Sequence, residues 1–152
     1  MKKLVLVTGA PGVGKTAVCR ELFEMLPGCA WLDADWCWML HPWHAKTQEQ
    51  KHKTEELFGL ILRNYCEDEA TETILFDWVM HSPFMFQIIT DKLADLPLDV
   101  IKIALVCDKK PHIERMRKDG RRPEQAENPD DNASYYLLGA QLFDVSTISA
   151  KA

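Results

Sequence analysis

The feature that most constrains this chain is a short segment near its amino terminus, Gly9-Ala10-Pro11-Gly12-Val13-Gly14-Lys15-Thr16. It fits the phosphate-binding pattern G-x-x-x-x-G-K-[ST] at every fixed position, and it lies between a strand-like run and a helix-like run. In such a loop the backbone N–H groups turn onto one phosphate, and glycines permit the tight curl. Lys15 is expected to reach the β and γ phosphates, and the Thr16 hydroxyl to hold Mg²⁺. The segment predicts binding of a nucleoside triphosphate rather than a ligand-free glycine-rich turn.

Size and composition predict one globular domain over residues 1–152, because 47% of the residues are hydrophobic and the chain is too short for two ordinary domains. No apolar run reaches the ~18 residues that span a bilayer, so we expect a cytoplasmic protein without a membrane partner. The five scattered cysteines form no C-x-x-C pair, which favours reduced thiols, mostly in the core. A net charge of −5 disfavours nucleic acid as a partner. We expect a monomer or a homodimer.

Strand-like and helix-like segments alternate along the chain, which predicts an α/β fold with a parallel sheet. The helix over 46–65 is expected to turn Leu57, Leu60 and Ile61 inward. In a parallel sheet, right-handed crossovers place ligands at the carboxyl ends of the strands, so functional residues should follow strands. The predicted strands cover 2–8, 30–33, 73–77, 100–107 and 142–146, with further helices starting near Thr16, Ser82 and Pro111 and a loop over 123–132.

Two acids follow the second predicted strand, in Asp33-Ala34-Asp35. Because strand side chains repeat every two residues, both carboxylates are expected on the same side, close to the phosphate loop. One acid would order the water shell of Mg²⁺ and the other would accept a proton from an attacking hydroxyl, and the residues leave open which is the base. The alternative is a simple turn or helix cap.

A third acid, Asp77, ends an apolar run, as does the metal-associated acid of many phosphate-loop proteins. Motor ATPases usually follow that acid with a glutamate that polarises water, whereas this chain has Trp78. The sequence therefore favours attack by a bound acceptor over attack by water.

A basic stretch over 113–123 contains Glu114-Arg115 and Arg121-Arg122-Pro123 in an otherwise acidic protein. Phosphoryl transfer needs positive charge on the equatorial oxygens, and planar guanidinium groups match that geometry. The alternative is a solvated helix face.

The order of these motifs resembles the shikimate kinase and adenylate kinase-like (AAA-type nucleotide kinase-like) group, which includes gluconate, adenylylsulfate and chloramphenicol kinases. The resemblance implies a three-layer α/β/α phosphate-loop NTPase fold with a five-stranded parallel sheet in the order 2-3-1-4-5, and ATP and Mg²⁺ as cofactors. It also implies that Arg115 stacks on adenine, that Arg122 contacts the phosphates from a mobile lid around 118–132, that Asp33 holds Mg²⁺ through water, and that Asp35 contacts the acceptor hydroxyl.

The acceptor side departs from the shikimate kinases, because their glycine triplet and arginine-bearing helix are missing; shikimate is not the substrate. The residues expected to contact a planar or sugar-like hydroxyl compound are Trp36, Trp38, His41 and His81, together with Trp43, Trp78 and Met80. The alternative for each tryptophan is a place in the core.

The function predicted from these residues is transfer of the γ-phosphoryl group of ATP to a hydroxyl or phosphate of a small molecule. The catalytic candidates are Lys15, Asp33, Asp35 and Arg122, and the metal candidates are Thr16, Asp33 and Asp77. Two alternatives stay open: a nucleotide-dependent switch or binding module with slow hydrolysis, and a 5′-hydroxyl polynucleotide kinase.

Overall fold

The computed structural model describes residues 1–42, 44, 46–119 and 146–149. Strands and α-helices alternate along these residues. The strands are β1 (Lys2–Gly9), β2 (Cys29–Asp33), β3 (Thr73–Asp77), β4 (Leu98–Val106) and β5 (Ser146–Ser149). The helices are α1 (Lys15–Met25), α2 (Gln48–Glu67), α3 (Pro83–Thr90) and α4 (Lys109–Asp119), with 3₁₀ turns at Ala34–Trp38 and Asp91–Leu93.

The strands form one parallel sheet in the order β2-β3-β1-β4-β5. This confirms the predicted fold class and strand order. The central strand β1 is an unbroken apolar run from Leu4 to Val7, and all four residues are buried. Such a run is typical of a parallel strand that is covered on both faces.

Alternate residues of β1 face opposite layers. Leu4 and Leu6 pack in a core with α2 and α3, whereas Val5 and Val7 pack in a second core with α1. The result is a three-layer α/β/α arrangement that brings the carboxyl ends of β1, β2 and β3 to one edge.

The inward face of α2 differs from the prediction. Leu57 and Leu60 are 41% and 67% exposed, so their assignment to the core was wrong, while Ile61 packs partly against it. The buried face is set instead by Phe58 and Leu62, one helical turn apart. A capping box begins the helix: the Gln50 N–H donates to the Thr47 hydroxyl and the Thr47 N–H donates to the Gln50 side chain.

Some element boundaries also differ. Helix α3 ends at Thr90 rather than near Leu96, because the chain tightens into the 3₁₀ turn before β4. The last strand is Ser146–Ser149, whereas the prediction was 142–146. The predicted loop over 123–132, residues 120–132 of the predicted lid, and Arg122 lie outside the described residues.

All five cysteines are free; Cys19 and Cys66 are buried, and the other three are half-buried. In the described part of the chain, no helix combines the length and the apolar character that a bilayer crossing needs.

Candidate active site

The phosphate loop connects the end of β1 to the start of α1. Gly9 and Gly12 adopt positive φ angles of 151° and 77°. A Cβ on Gly9 would lie 2.7 Å from the Leu105 carbonyl oxygen, and a Cβ on Gly12 would lie 2.8 Å from the Met116 side chain. Glycine is therefore required at both positions, because the loop packs closely against β4 and α4.

Lys15 points back into this loop. Its ammonium donates to the carbonyl oxygens of Gly9, at 3.0 Å, and Ala10, at 3.1 Å. Burial lowers the pKa of Lys15, and the carboxylates of Asp77, Asp35 and Asp33 oppose that shift. The positive charge thus lies between the loop backbone and a group of acids.

Asp33 and Asp77 end adjacent strands and lie opposite each other in the register of β2 and β3. They are only 6% and 1% exposed. The Thr16 hydroxyl donates to Oδ2 of Asp33 at 3.0 Å, and the Asp35 N–H donates to Oδ1 at 2.9 Å. Asp33 therefore caps the 3₁₀ turn, as the simpler alternative expected, and also contacts the phosphate-loop threonine.

Trp31 holds Asp77 in place, a contact that was not predicted from the sequence. The indole N–H donates to Oδ1 of Asp77 at 2.7 Å. The pKa of Asp77 is raised to about 6, chiefly by burial; the hydrogen bond from Trp31 opposes this rise, and the Asp33 charge adds to it. The sequence did contain a signal for this contact. Trp31 lies two residues before Asp33 in β2, so the two side chains share one face of the sheet.

The donor set of Thr16, Asp33 and Asp77 suits Mg²⁺, which prefers oxygen ligands and is usually bound by one or two carboxylates with waters and substrate phosphates. Within the residues described, no group of three or more His, Cys, Asp or Glu side chains is placed to hold a metal by itself. The contact between the Thr16 hydroxyl and the Asp33 carboxylate is the observation that supports the fit.

Helix α4 contacts the loop from the other side. The His112 ring Nε2 lies 2.6 Å from the Pro11 carbonyl oxygen, and the Arg115 guanidinium donates to the Val13 carbonyl at 3.3 Å. His112 is 2% exposed. The contact between His112 and the loop was not predicted from the sequence, although His112 lies one helical turn before Arg115 and therefore on the same face of α4.

These elements enclose a cleft of about 630 Å³. Its polar lining is Lys15, Thr16, Arg20, Asp33, Asp35, Asp77 and Arg115. Its apolar wall, which we call the acceptor wall, is Trp36, Trp38, Met39, Leu40, Trp78 and Val79. Arg20 was not expected here. His41 and His81 are exposed and do not belong to the lining, so their acceptor role stays a prediction. The phosphate contact predicted for Arg122 also stays a prediction, and Trp43 lies outside the described residues.

The tryptophans of the acceptor wall differ in their surroundings. Trp36 is 48% exposed and touches Trp31, with ring centroids 4.8 Å apart. Trp38 packs edge-on against Phe58, and the Lys46 ammonium lies over its ring. Trp38 is therefore partly a core residue, as the alternative interpretation expected, whereas the Trp36 ring is more accessible.

Met80 does not belong to this wall. It is 1% exposed, and its backbone N–H and carbonyl both bond the Thr8 hydroxyl at 2.9 Å. Its place in the acceptor region was therefore a wrong prediction. The pair of bonds instead fixes the loop after Asp77 against β1.

A family model described as an AAA domain matches residues 5–134. The chain belongs to this family. Among curated proteins, no sequence matches the chain significantly.

Solved structures resemble this AAA domain over nearly its whole length. The tunicamycin resistance protein of Deinococcus radiodurans is 20% identical, with a TM-score of 0.65 over 98% of this chain and 86% of that one. A gluconokinase from Sinorhizobium meliloti is 12% identical, with a TM-score of 0.66 over 99% and 83%. A chain of the Pnkp1/Rnl/Hen1 RNA repair complex is 15% identical, with a TM-score of 0.72, and 95% of this chain covers 47% of it. At these identities the likeness shows a phosphate-loop kinase-like fold.

Proposed function

We propose that this AAA domain protein is a kinase that transfers the γ-phosphoryl group of ATP, with Mg²⁺, to a hydroxyl group of a small molecule. One observation carries the proposal. A single cleft joins the phosphate loop and the buried acids Asp33 and Asp77 to an apolar wall, and the exposed carboxylate of Asp35 lies on the same lining. The kinase-like fold of the structural neighbours supports it.

The phosphate loop would bind the triphosphate. Its backbone N–H groups and the start of α1 present partial positive charge to the anion. The Lys15 ammonium would exchange its contacts with the Gly9 and Ala10 carbonyls for phosphate oxygens. Arg115 lines the cleft from α4 and is our candidate for contact with the adenine, as the family resemblance implies.

Mg²⁺ would be held by Thr16, Asp33 and Asp77. When bound, the ion neutralises charge on the phosphate oxygens. Trp31 keeps Asp77 in one orientation, because its indole N–H occupies one of the two carboxylate oxygens.

Asp35 is the candidate base. The Asp35 side chain is exposed and lines the cleft, where an acceptor hydroxyl could reach it. The Asp33 carboxylate accepts bonds from the Thr16 hydroxyl and the Asp35 N–H. In the transfer, the acceptor oxygen bonds the γ-phosphorus as the bond from that phosphorus to the β–γ bridging oxygen breaks. The hydroxyl proton passes to Asp35, and ADP leaves. We include Arg122 as a lid residue that would contact the phosphates, on the family resemblance alone.

The test is acceptor-dependent formation of ADP. Purified protein with Mg²⁺ and ATP is screened against nucleosides, sugars and aminoglycoside-like compounds, and phosphorylated products are identified by mass spectrometry. We expect at least one acceptor to increase ADP formation in proportion to product, and EDTA to abolish it. Tight nucleotide binding with slow hydrolysis that no acceptor changes would contradict the proposal and support a nucleotide-dependent switch.

A polynucleotide kinase is the second candidate, because the RNA repair complex chain has a TM-score of 0.72 to this one. It predicts salt-sensitive binding of a 5′-hydroxyl oligonucleotide and transfer of label to its end. The net charge of −5 argues against it. The same screen distinguishes the two candidates when oligonucleotides are included at two salt concentrations.

A further inference from the structure

We infer that the phosphoryl acceptor is an uncharged or cationic hydroxyl compound with an apolar ring or aliphatic face, and that compounds carrying a carboxylate or phosphate are poor acceptors. The inference rests on the proposed function and adds the class of substrate to it. It follows from the exposure of the acceptor wall and from how charge is distributed around the cleft.

The acceptor wall exposes large apolar side chains beside one another. Trp36, Met39 and Leu40 are 48%, 78% and 47% exposed, and all three line the cleft. Clustered apolar surface at the edge of a pocket is a mark of a binding site, since its burial by a ligand is favourable at roughly 25 cal/mol per Å². A polyhydroxylated acid or a phosphate would gain little from such a surface.

Charge is divided between the two sides of the cleft. Among the residues that the structure describes, the cations of the lining are Lys15, Arg20 and Arg115, which belong to the helices α1 and α4 that border the phosphate loop. The acceptor wall comes from residues 36–40 and 78–79, and neither segment contains Lys, Arg or His. A carboxylate directly precedes each segment, Asp35 before the first and Asp77 before the second.

The anionic groups of an acceptor would therefore meet the negative charge of Asp35 without an opposite charge on the wall. Like charges a few ångströms apart in a partly desolvated site repel each other. Lys46 lies near the wall, but its ammonium is placed over the Trp38 ring and Lys46 is not part of the cleft lining. A neutral or cationic acceptor avoids the repulsion, and a cation would also be attracted to the face of a tryptophan.

Trp36 is the residue best placed to contact the acceptor ring. Its ring meets Trp31 at an angle of 60°, nearly half of its surface is exposed, and it lines the cleft. Aromatic rings stack or meet edge-to-face, so this surface suits a planar or flat apolar group. Truncation of Trp36 should therefore raise KM for the acceptor more than it lowers kcat.

The test uses matched acceptors that differ only in charge. Each pair keeps the same hydroxyl groups and differs in one carboxylate, such as N-acetyltyrosine amide and N-acetyltyrosine, or the methyl ester of a sugar acid and the free sugar acid. The measured quantity is kcat/KM from ADP formation, with the product confirmed by mass spectrometry. We expect the uncharged or cationic member to exceed the anionic member by at least about tenfold.

Two substitutions sharpen the test. Met39→Lys places a cation on the acceptor wall at a position that is 78% exposed, so folding should be unaffected. Met25→Lys is the matched control, because Met25 is 72% exposed in α1 and outside the cleft lining. We expect Met39→Lys to raise the relative kcat/KM for anionic acceptors about tenfold, and Met25→Lys to leave it unchanged.

Two outcomes would overturn the inference, and they are distinguishable. If anionic members are phosphorylated as well as or better than their partners in the wild-type protein, the substrate class is wrong while the kinase stands. If ATP binds but no member of any pair is phosphorylated, the proposed function itself fails, and the substrate class falls with it. An equal response of Met39→Lys and Met25→Lys would also count against the charge argument.

Discussion

The two sides of the cleft are built differently. On the phosphate side, polar groups are bonded to one another and to the backbone: Thr16 to Asp33, Trp31 to Asp77, and Lys15 to its own loop. On the acceptor wall, large apolar residues such as Trp36 and Met39 are exposed. Under the proposed function, the contrast indicates that the part of the site that would bind ATP is preorganised, whereas the part that would recognise the acceptor relies on surface and shape.

The largest expected effect comes from removing the charge at the centre of the phosphate side. Lys15→Met should lower kcat/KM for ATP by about 10³–10⁵, because the ammonium would neutralise charge that develops on the transferred phosphoryl group. Lys51→Met, at an exposed position of α2, is the matched control. Steady-state kinetics measures the effect, and equal activity of both variants would contradict the role proposed for Lys15.

The next largest effect is expected for Asp35→Asn, which removes the candidate base. We expect kcat to fall by about 10²–10⁴, since the amide cannot accept the hydroxyl proton, while binding of Mg·ATP stays nearly unchanged. Single-turnover kinetics and nucleotide titration separate the two effects. Full activity of this variant together with inactivity of Asp33→Asn would identify Asp33, rather than Asp35, as the base.

Asp77→Asn should stabilise the protein in the absence of metal and nucleotide. The pKa of Asp77 is raised from 3.8 to about 6 by burial, so the folded state favours the protonated acid. The stability associated with this proton is present below pH 4 and is lost as the pH rises through 6. The substituted amide stays neutral and still accepts the Trp31 N–H.

Urea denaturation at pH 4 and pH 8 measures this effect. We expect the gain in the free energy of unfolding of Asp77→Asn over the wild type to be about 1–3 kcal/mol larger at pH 8 than at pH 4. Mg·ATP should then stabilise the wild type more than the variant. A pH-independent difference between the two proteins would contradict the burial argument.

The smallest expected effect is that of Trp31→Phe, which keeps an aromatic ring beside Trp36 but removes the donor to Asp77. We expect the Mg²⁺ concentration for half-maximal activity to rise by about tenfold, the low end of the effect of losing one bond to a charged group that would hold a metal. Trp38→Phe, which changes a ring that lies 6.1 Å from Phe58, is the comparison on the acceptor wall. If both variants shift the Mg²⁺ requirement equally, Trp31 has no special role in orienting Asp77.

The phosphate side could be predicted from sequence because its motif is local: the glycines, Lys15 and Thr16 must be adjacent to curl around a phosphate. The strand order also followed, since alternating apolar runs and helices leave few parallel topologies. Contacts between distant segments could not be predicted in this way. Trp31 meets Asp77 across strands, and His112 meets Pro11 across 101 positions.

The buried face of α2 and the exposure of each tryptophan were less predictable for a related reason. Apolar periodicity on α2 fits Leu57 and Leu60 as well as it fits Phe58 and Leu62, and only packing against the sheet decides between them. In the same way, the run of aromatic residues did not distinguish the accessible Trp36 from the core-packed Trp38.

Calorimetric titration of the folded wild-type protein with ATP in the presence of Mg²⁺ measures whether the loop around Lys15 binds Mg·ATP. We expect saturable binding to one site per chain, with a Kd between about 1 µM and 1 mM, and weaker binding when EDTA is present. Absence of any binding heat at millimolar ATP and Mg²⁺, from protein with a native unfolding transition, would contradict it.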